Sequence, residues 1–147
     1  MTPMEIALAE ARAAGMRGEV PVGAVVLGPD GALVACAGNE TEERRDASAH
    51  AELVAMRLAA GRLGTPRLAG CDLVVTLEPC PMCAHAASLF RIRRLVFGAY
   101  DPKGGGVEHG ARVFDAASCQ HRPEVIGGVC ESECAARLRE FFGARRS

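Results

Sequence analysis

Two rhythms alternate along the chain. Short runs of β-branched and apolar residues, VPVGAVVLG at 20–28, ALVACA at 32–37, DLVVTL at 72–77 and RLVFGA at 94–99, read as buried strands. A weaker run, PEVIGGV at 123–129, reads as a fifth. Pro29-Asp30-Gly31 places a turn between the first two runs and predicts a hairpin, with Pro21 at the start of its first strand, where a missing N–H does least damage. Between strands the chain changes to good helix formers. Apolar positions 53, 54, 56 and 58 predict a helix from His50 to about Ala60, with His50 in its first turn and Gly61 as its stop. Thr2-Pro3-Met4-Glu5 has the form of a capping box and predicts a helix over 3–17. Pro81 suits the first turn of a helix over 81–90, and residues 131–142 predict a closing helix that ends near Gly143. The segment 100–122, YDPKGGGVEHGARVFDAASCQHR, keeps no period, and irregular stretches of that length inside a compact domain tend to carry function. Strands alternating with helices imply an α/β fold, a sheet covered on both faces, with parallel neighbours wherever a helix crosses over.

Composition narrows the class. At 147 residues, 49% hydrophobic and 24% charged, the chain has the make-up of one globular domain with a full core, since a chain of this size buries close to 70% of its unfolded surface. No apolar run approaches the roughly 20 residues of a membrane span. The opening MTPMEIALAEARAAGMRGEV carries acids early and lacks a basic segment followed by an apolar core, so a cytoplasmic location is the expectation. Seven cysteines, an odd number without an export signal, favour reduced thiols and a metal site over a disulfide framework. A net charge of −1 argues against strong sequence-independent binding of nucleic acid through bulk charge and leaves room for a local basic face.

The chemistry concentrates in His50-Ala51-Glu52 and Pro79-Cys80-Pro81-Met82-Cys83. A catalytic zinc takes three protein ligands and keeps the fourth tetrahedral position for water, and one histidine with two cysteines supplies the three. A Cys-x-x-Cys at a helix start lets both sulfurs face one point, where the helix N-terminus favours thiolate. Residues two apart on a helix diverge by about 200°, so Glu52 would stay off the metal while its carboxylate could approach a bound water. H-x-E followed by P-C-x-x-C is the signature of zinc deaminases. The residues alone leave two other readings open. One is a structural site closed by a fourth ligand from Cys71, His85, Cys119, His121, Cys130 or Cys134; the other is packing alone. His85 should point away from the metal, and Cys130 with Cys134, one turn apart, fits two small residues on a core face.

At these residues the chain resembles the cytidine deaminase superfamily, and within it the branch of tRNA adenosine deaminases. GEVPVGAVV (18–26), GN (38–39), AHAE (49–52), VTLEPCPMC (75–83), RIRRLVFGA (91–99), DPKGG (101–105), HRPEV (121–125) and ECAARLREFF (133–142) follow the family's pattern in order and spacing. Two stretches depart from it: Asp46-Ala47-Ser48 stands where the family has Asp-Pro-Thr, and the residues after Lys103 differ. The resemblance implies a three-layer α/β/α fold around a five-stranded mixed sheet, one domain over 1–147, and a homodimer with active sites close to the subunit interface. It implies one Zn2+ per subunit held by His50, Cys80 and Cys83, with Glu52 as proton shuttle. Asn39 matches a position that hydrogen-bonds the target base, Val22 and Leu77 are expected as pocket walls, and Ala51 and Lys103 as further substrate contacts. The implied activity is hydrolytic conversion of wobble adenosine to inosine in a tRNA anticodon stem-loop; deaminases of a free nucleobase or nucleoside share the zinc core. A noncatalytic zinc-stabilised module would have no use for an unligated Glu52. An RNA substrate would draw on Arg91, Arg93, Arg94, Lys103, Arg122, Arg145 and Arg146 for its backbone and on Phe141 and Phe142 for a neighbouring base.

Overall fold

Thr2 caps the first helix, α1 (Pro3–Met16), through a reciprocal pair: Glu5 N–H donates to Thr2 Oγ1 at 3.2 Å and Thr2 N–H donates to Glu5 Oε1 at 3.1 Å. The computed structural model describes residues 1–146 and the side chains of 1–143. The remaining strands and α-helices are β1 (Gly23–Leu27), β2 (Leu33–Gly38), α2 (Thr41–Arg44), α3 (Ala51–Leu63), β3 (Asp72–Leu77), α4 (Pro81–Leu89), β4 (Arg94–Ala99), β5 (Glu124–Ile126) and α5 (Glu131–Arg146), with a single 3-10 turn at Val113–Asp115.

The five strands form one mixed sheet in the order β2-β1-β3-β4-β5. β1 lies antiparallel to both β2 and β3, and β3, β4 and β5 run parallel. Alternation along each strand divides the side chains between two cores. Ala24, Val26, Leu73, Val75, Leu95 and Phe97 pack with α3 and α4, whereas Val25 and Val74 pack with α1 and α5. The result is the expected α/β/α layering.

α1 lies unusually near the sheet. A Cβ on Gly23 would stand 1.9 Å from the Ala7 carbonyl oxygen, and one on Gly38, paired opposite it, 2.8 Å from the Glu10 carbonyl oxygen. Buried alanines 7, 11 and 14 on the facing side of α1 complete that close approach. Glycine in a strand is here a contact surface for a helix rather than a weak point.

The sheet's directions bring the site together. Because β1 is antiparallel to its neighbours, its start meets the ends of β2 and β3: Gly23 pairs with Gly38, and Ala24 with Val75. β4, parallel to β3, ends on the same edge, with Leu77 opposite Ala99. The starts of α3 and α4 converge there too, since Cys80 follows directly on β3 and the two helices are in contact. Chain ends along the carboxyl edge of parallel strands are the usual place for a site in such sheets.

Several local expectations are corrected. His50 is not in the first turn of α3 but caps it, with extended backbone at φ −70° and ψ 150°. α3 runs through Gly61, where added bulk would meet nothing within 4 Å, and stops at Gly64, whose φ of 67° is left-handed. Gly143 is equally open, and α5 continues past it. The first strand begins only at Gly23, after Pro21, and the weak fifth run shortens to three residues. α2 was not foreseen. Its place is set by Glu19, 1% exposed, which accepts from Thr41 Oγ1 at 3.3 Å and from the N–H groups of Glu42 and Glu43 at 3.1 and 2.9 Å. Burial alone would raise the Glu19 carboxyl, but these donors outweigh it and hold it below the ordinary range.

Candidate active site

Three side chains from two helix starts meet at the carboxyl edge of the sheet. His50 caps α3, Cys80 caps α4 and Cys83 lies in the first turn of α4, after Pro81 at the position where a missing N–H is harmless. Among the described residues these three form the one group of metal-binding side chains, their donor atoms all within 4.8 Å of one another. His50 Nδ1 stands 3.5 Å from Cys80 Sγ and 3.6 Å from Cys83 Sγ. Zinc–nitrogen and zinc–sulfur bonds of about 2.05 and 2.3 Å at a tetrahedral angle put the two donors about 3.6 Å apart, so the spacing already has the edge length of a zinc tetrahedron.

The protonation of the group fits the same purpose. A hydrogen bond from Cys83 holds the Cys80 thiol down to about 4, and the shared proton with burial pushes Cys83 far up. The hydrogen bond with Cys80 raises His50. One thiolate, one thiol and an imidazole around a single point are what a dication with a preference for sulfur and nitrogen would complete.

Glu52 stands beside the group without joining it. It is 4% exposed, and burial lifts its carboxyl to about 7 against the opposing pull of its own backbone N–H and His50. It reaches the Cys83 thiol as a hydrogen-bond partner. The other cysteines are placed elsewhere. Cys119 contacts Ser88 Oγ at 3.4 Å and the His121 carbonyl at 3.2 Å, and His121 Nε2 donates to the Ile92 carbonyl at 2.7 Å, so both residues fasten the long loop to the end of α4. Cys71 and Cys134 are buried in the two cores, Cys130 is exposed, and His85 is outside the group.

A cleft of about 280 Å³ opens over the group, lined by Val20, Val22, Asn39, His50, Glu52, Leu77, Glu78, Cys80, Asp101 and Gly104. Of the residues expected to touch substrate, Val22, Asn39 and Leu77 reach it. Ala51 does not: it is fully buried, and its N–H donates to Asn39 Oδ1 at 2.8 Å. That bond fixes the Asn39 amide so that its NH2 group is the part available to a ligand. Lys103 is exposed at the rim, between Asp101 and Gly104.

Val20, Glu78, Asp101 and Gly104 were missed by sequence reasoning. No spacing rule marks them, because they come from three separate segments, before β1, after β3 and after β4. Among the arginines expected at RNA, Arg93 is bidentate on Asp72 at 2.9 and 3.1 Å and Arg94 pairs with Glu124 at 3.1 Å, so both are engaged at the opposite end of the strands. Arg91 donates to the Ser88 carbonyl at 3.1 Å, and Arg122 is exposed. Phe141 and Phe142 stack edge to face at 5.3 Å and line a second cleft that shares Val20 with the first. The side chains of Arg145 and Arg146 lie outside the described residues.

Residues 2–99, which include His50, Glu52, Cys80 and Cys83, match the cytidine and deoxycytidylate deaminase zinc-binding region. The chain belongs to this deaminase family. The deaminase is 55% identical over 143 residues to the tRNA-specific adenosine deaminase of Agrobacterium fabrum (strain C58 / ATCC 33970), covering 97% of this chain and 93% of that protein. A solved structure from studies of A-to-I editing by tRNA:A34 deaminases at the wobble position of transfer RNA matches with a TM-score of 0.91 and 55% identity, over 92% of this chain and 98% of that one. A solved guanine deaminase from Nitrosomonas europaea matches with a TM-score of 0.82 and 27% identity, over 96% and 83%. Zinc is the metal of the family, and the donor set described above fits it. Among the described residues, no helix of the deaminase is long and apolar enough to cross a membrane.

Proposed function

We propose that this deaminase converts the wobble adenosine of a tRNA anticodon stem-loop to inosine with release of ammonia, acting as a cytoplasmic homodimer of one domain per chain. The observation that carries the chemistry is the His50, Cys80 and Cys83 group with Glu52 buried against it. The 55% identity to a tRNA-specific adenosine deaminase supports the choice of substrate. Exposed Leu58 on α3 and Met82 and Leu89 on α4 offer an apolar surface for pairing, which a solution mass of twice 15.4 kDa would support.

His50, Cys80 and Cys83 would hold the metal, the ligand set of a catalytic rather than a closed structural site. Zinc, when bound, supplies the Lewis acidity that lowers the pKa of a water from roughly 16 to about 7. Glu52 takes the proton of the attacking water and delivers it to the ring nitrogen beside C6 of adenine; it then moves a second proton to the amino group, which leaves as ammonia. A carboxyl lifted toward neutrality by burial is suited to accept and return protons in turn. Asn39, its oxygen held by the Ala51 N–H, donates to an acceptor on the base, and Val22 and Leu77 flank the ring. A cleft of about 280 Å³ takes one base, so the sugar and backbone of an RNA lie outside, near Lys103 and the Phe142 end of α5.

The likeness to guanine deaminase favours a second reading, a free base in the same cleft. One assay separates them. Purified protein is incubated in parallel with an anticodon stem-loop bearing a wobble adenosine and with free bases and nucleosides, and inosine and ammonia are scored. Inosine in the stem-loop is the expected result; product from free bases alone would overturn it.

A further inference from the structure

Glu78 has no part in the chemistry above, yet it is the most heavily hydrogen-bonded side chain at the site. It lies two residues before Cys80, its side chain is 0% exposed, and among the described residues its carboxylate has no lysine or arginine as counter-ion. Oε2 instead accepts from three successive backbone N–H groups, Val107 at 3.2 Å, Glu108 at 2.8 Å and His109 at 3.1 Å. Oε1 accepts from Asp101 N–H at 3.0 Å and faces His109 Nδ1 at 2.8 Å. A carboxylate only accepts, so Nδ1 of His109 carries the proton. Three consecutive amides turned on one oxygen form an anion nest, here filled by the chain's own side chain.

The segment held this way carries part of the wall of the base cleft. Asp101 and Gly104 line the cleft, and Asp101 Oδ1 accepts from Gly104 N–H at 2.9 Å to close the turn that carries Lys103. The glycines of this stretch let the wall lie flush. A Cβ on Gly105 would stand 2.6 Å from the Glu78 carboxyl carbon, and one on Gly106 would stand 2.6 Å from Pro81 N. Gly106 N–H donates to the Pro79 carbonyl at 2.8 Å, so the wall and the ligand-bearing segment share one frame. This is the irregular stretch that departs from the family pattern after Lys103.

We infer that Glu78 is a positioning residue for substrate: its carboxylate fastens residues 101–109 as one wall of the cleft and so sets how tightly a base is held, without touching the reacting atoms. Glu78→Gln isolates this role. Gln keeps the volume of Glu, but its NH2 group must face at least one of the N–H donors, and that donor loses its acceptor.

The inference rests on the deaminase reading for its kinetic arm alone. With the stem-loop as substrate, Glu78→Gln should keep one zinc per chain and a kcat within about threefold, while KM rises by about tenfold or more, the signature of lost binding that ground state and transition state share. Unchanged KM, or loss of zinc, would overturn the positioning role. Should that variant not fold, Gly105→Ala, which crowds Glu78 from the loop side, should raise KM in the same way, and an unchanged KM there counts equally against it. Amide exchange on the wild-type protein tests the staple whatever the substrate. The N–H groups of Asp101, Val107, Glu108 and His109 should exchange markedly more slowly than that of exposed Lys103, and equal rates would refute the staple. If the stem-loop is not turned over at all, the substrate reading fails by itself, and the kcat and KM split is then read on the base or nucleoside that is deaminated.

Discussion

Glu52→Gln should make the metal-free protein more stable and the enzyme inactive. Burial lifts the Glu52 carboxyl from 4.5 to about 7, and at 1.36 kcal/mol per pKa unit an ionised Glu52 costs the fold roughly 3 kcal/mol. A carboxyl with a raised folded-state pKa keeps its proton where the unfolded chain has already released it. Its contribution is therefore neutral below about pH 4.5 and becomes a growing penalty up to about pH 7. Glutamine has no proton to lose and escapes the penalty. Urea denaturation of chelator-stripped wild type and variant at about pH 5 and about pH 8 should show a gap that widens by roughly 2–3 kcal/mol in the variant's favour. Glu52 also raises His50 and Cys83, so the gap reports the carboxyl together with its coupling to these two neighbours. A gap that does not change with pH would refute the idea that burial strains this carboxyl. In the zinc-loaded enzymes the same substitution should cut turnover by about 10² to 10⁴ with metal content unchanged, the effect of losing an acid–base group. Retained turnover would refute its role as proton carrier. A residue whose loss raises stability and abolishes activity is held in place by function.

Three further outcomes follow from the site and the fold. Cys80→Ser replaces a thiol held down to about 4 by a hydroxyl that does not ionise, so zinc per chain after dialysis should fall well below that of wild type, and full occupancy by elemental analysis would exclude ligation. Asn39→Asp keeps the oxygen that accepts from Ala51 N–H and loses the NH2 donor. KM should rise about tenfold, the value of one hydrogen bond, and the newly buried carboxylate should also lower thermal stability; an unchanged KM would remove Asn39 from base recognition. Gly23→Ala sets a methyl group 1.9 Å from the Ala7 carbonyl oxygen and 2.6 Å from Ala11 N, backbone atoms that move only if α1 moves. A cost of about 1–3 kcal/mol and a thermal midpoint lower by about 3 °C or more are expected, and a wild-type melting curve would show that α1 sits further from the sheet.

Much of this protein was legible in the order of its residues, for a physical reason. His50-Ala51-Glu52 and Cys80-Pro81-Met82-Cys83 each lie within about a turn of helix, and over that distance local geometry decides which groups can face one point. The strands were equally plain, because β-branched runs between turn residues have few other ways to bury themselves. Helix ends were less so. Gly61 and Gly143 look like stops, but both face open space and cost a continuing helix only about 1 kcal/mol, so packing elsewhere carries the chain past them. His50 is a cap rather than a first-turn residue, and Cys119 and His121, chemically able to join a metal site, are instead spent on tying the long loop to α4. The cleft itself is a tertiary product. Val20, Asn39, Leu77 and Asp101 meet only because β1 runs against β2 and β3 while β4 runs with β3, which puts one start and three ends on one edge. The Glu78 carboxylate, surrounded by amides from up to 31 residues away, likewise has no local signature. The sequence by itself determined the metal-binding chemistry, because residue types at short spacing carry it. Only the tertiary structure decided what surrounds that chemistry, because the strand order brings distant segments together.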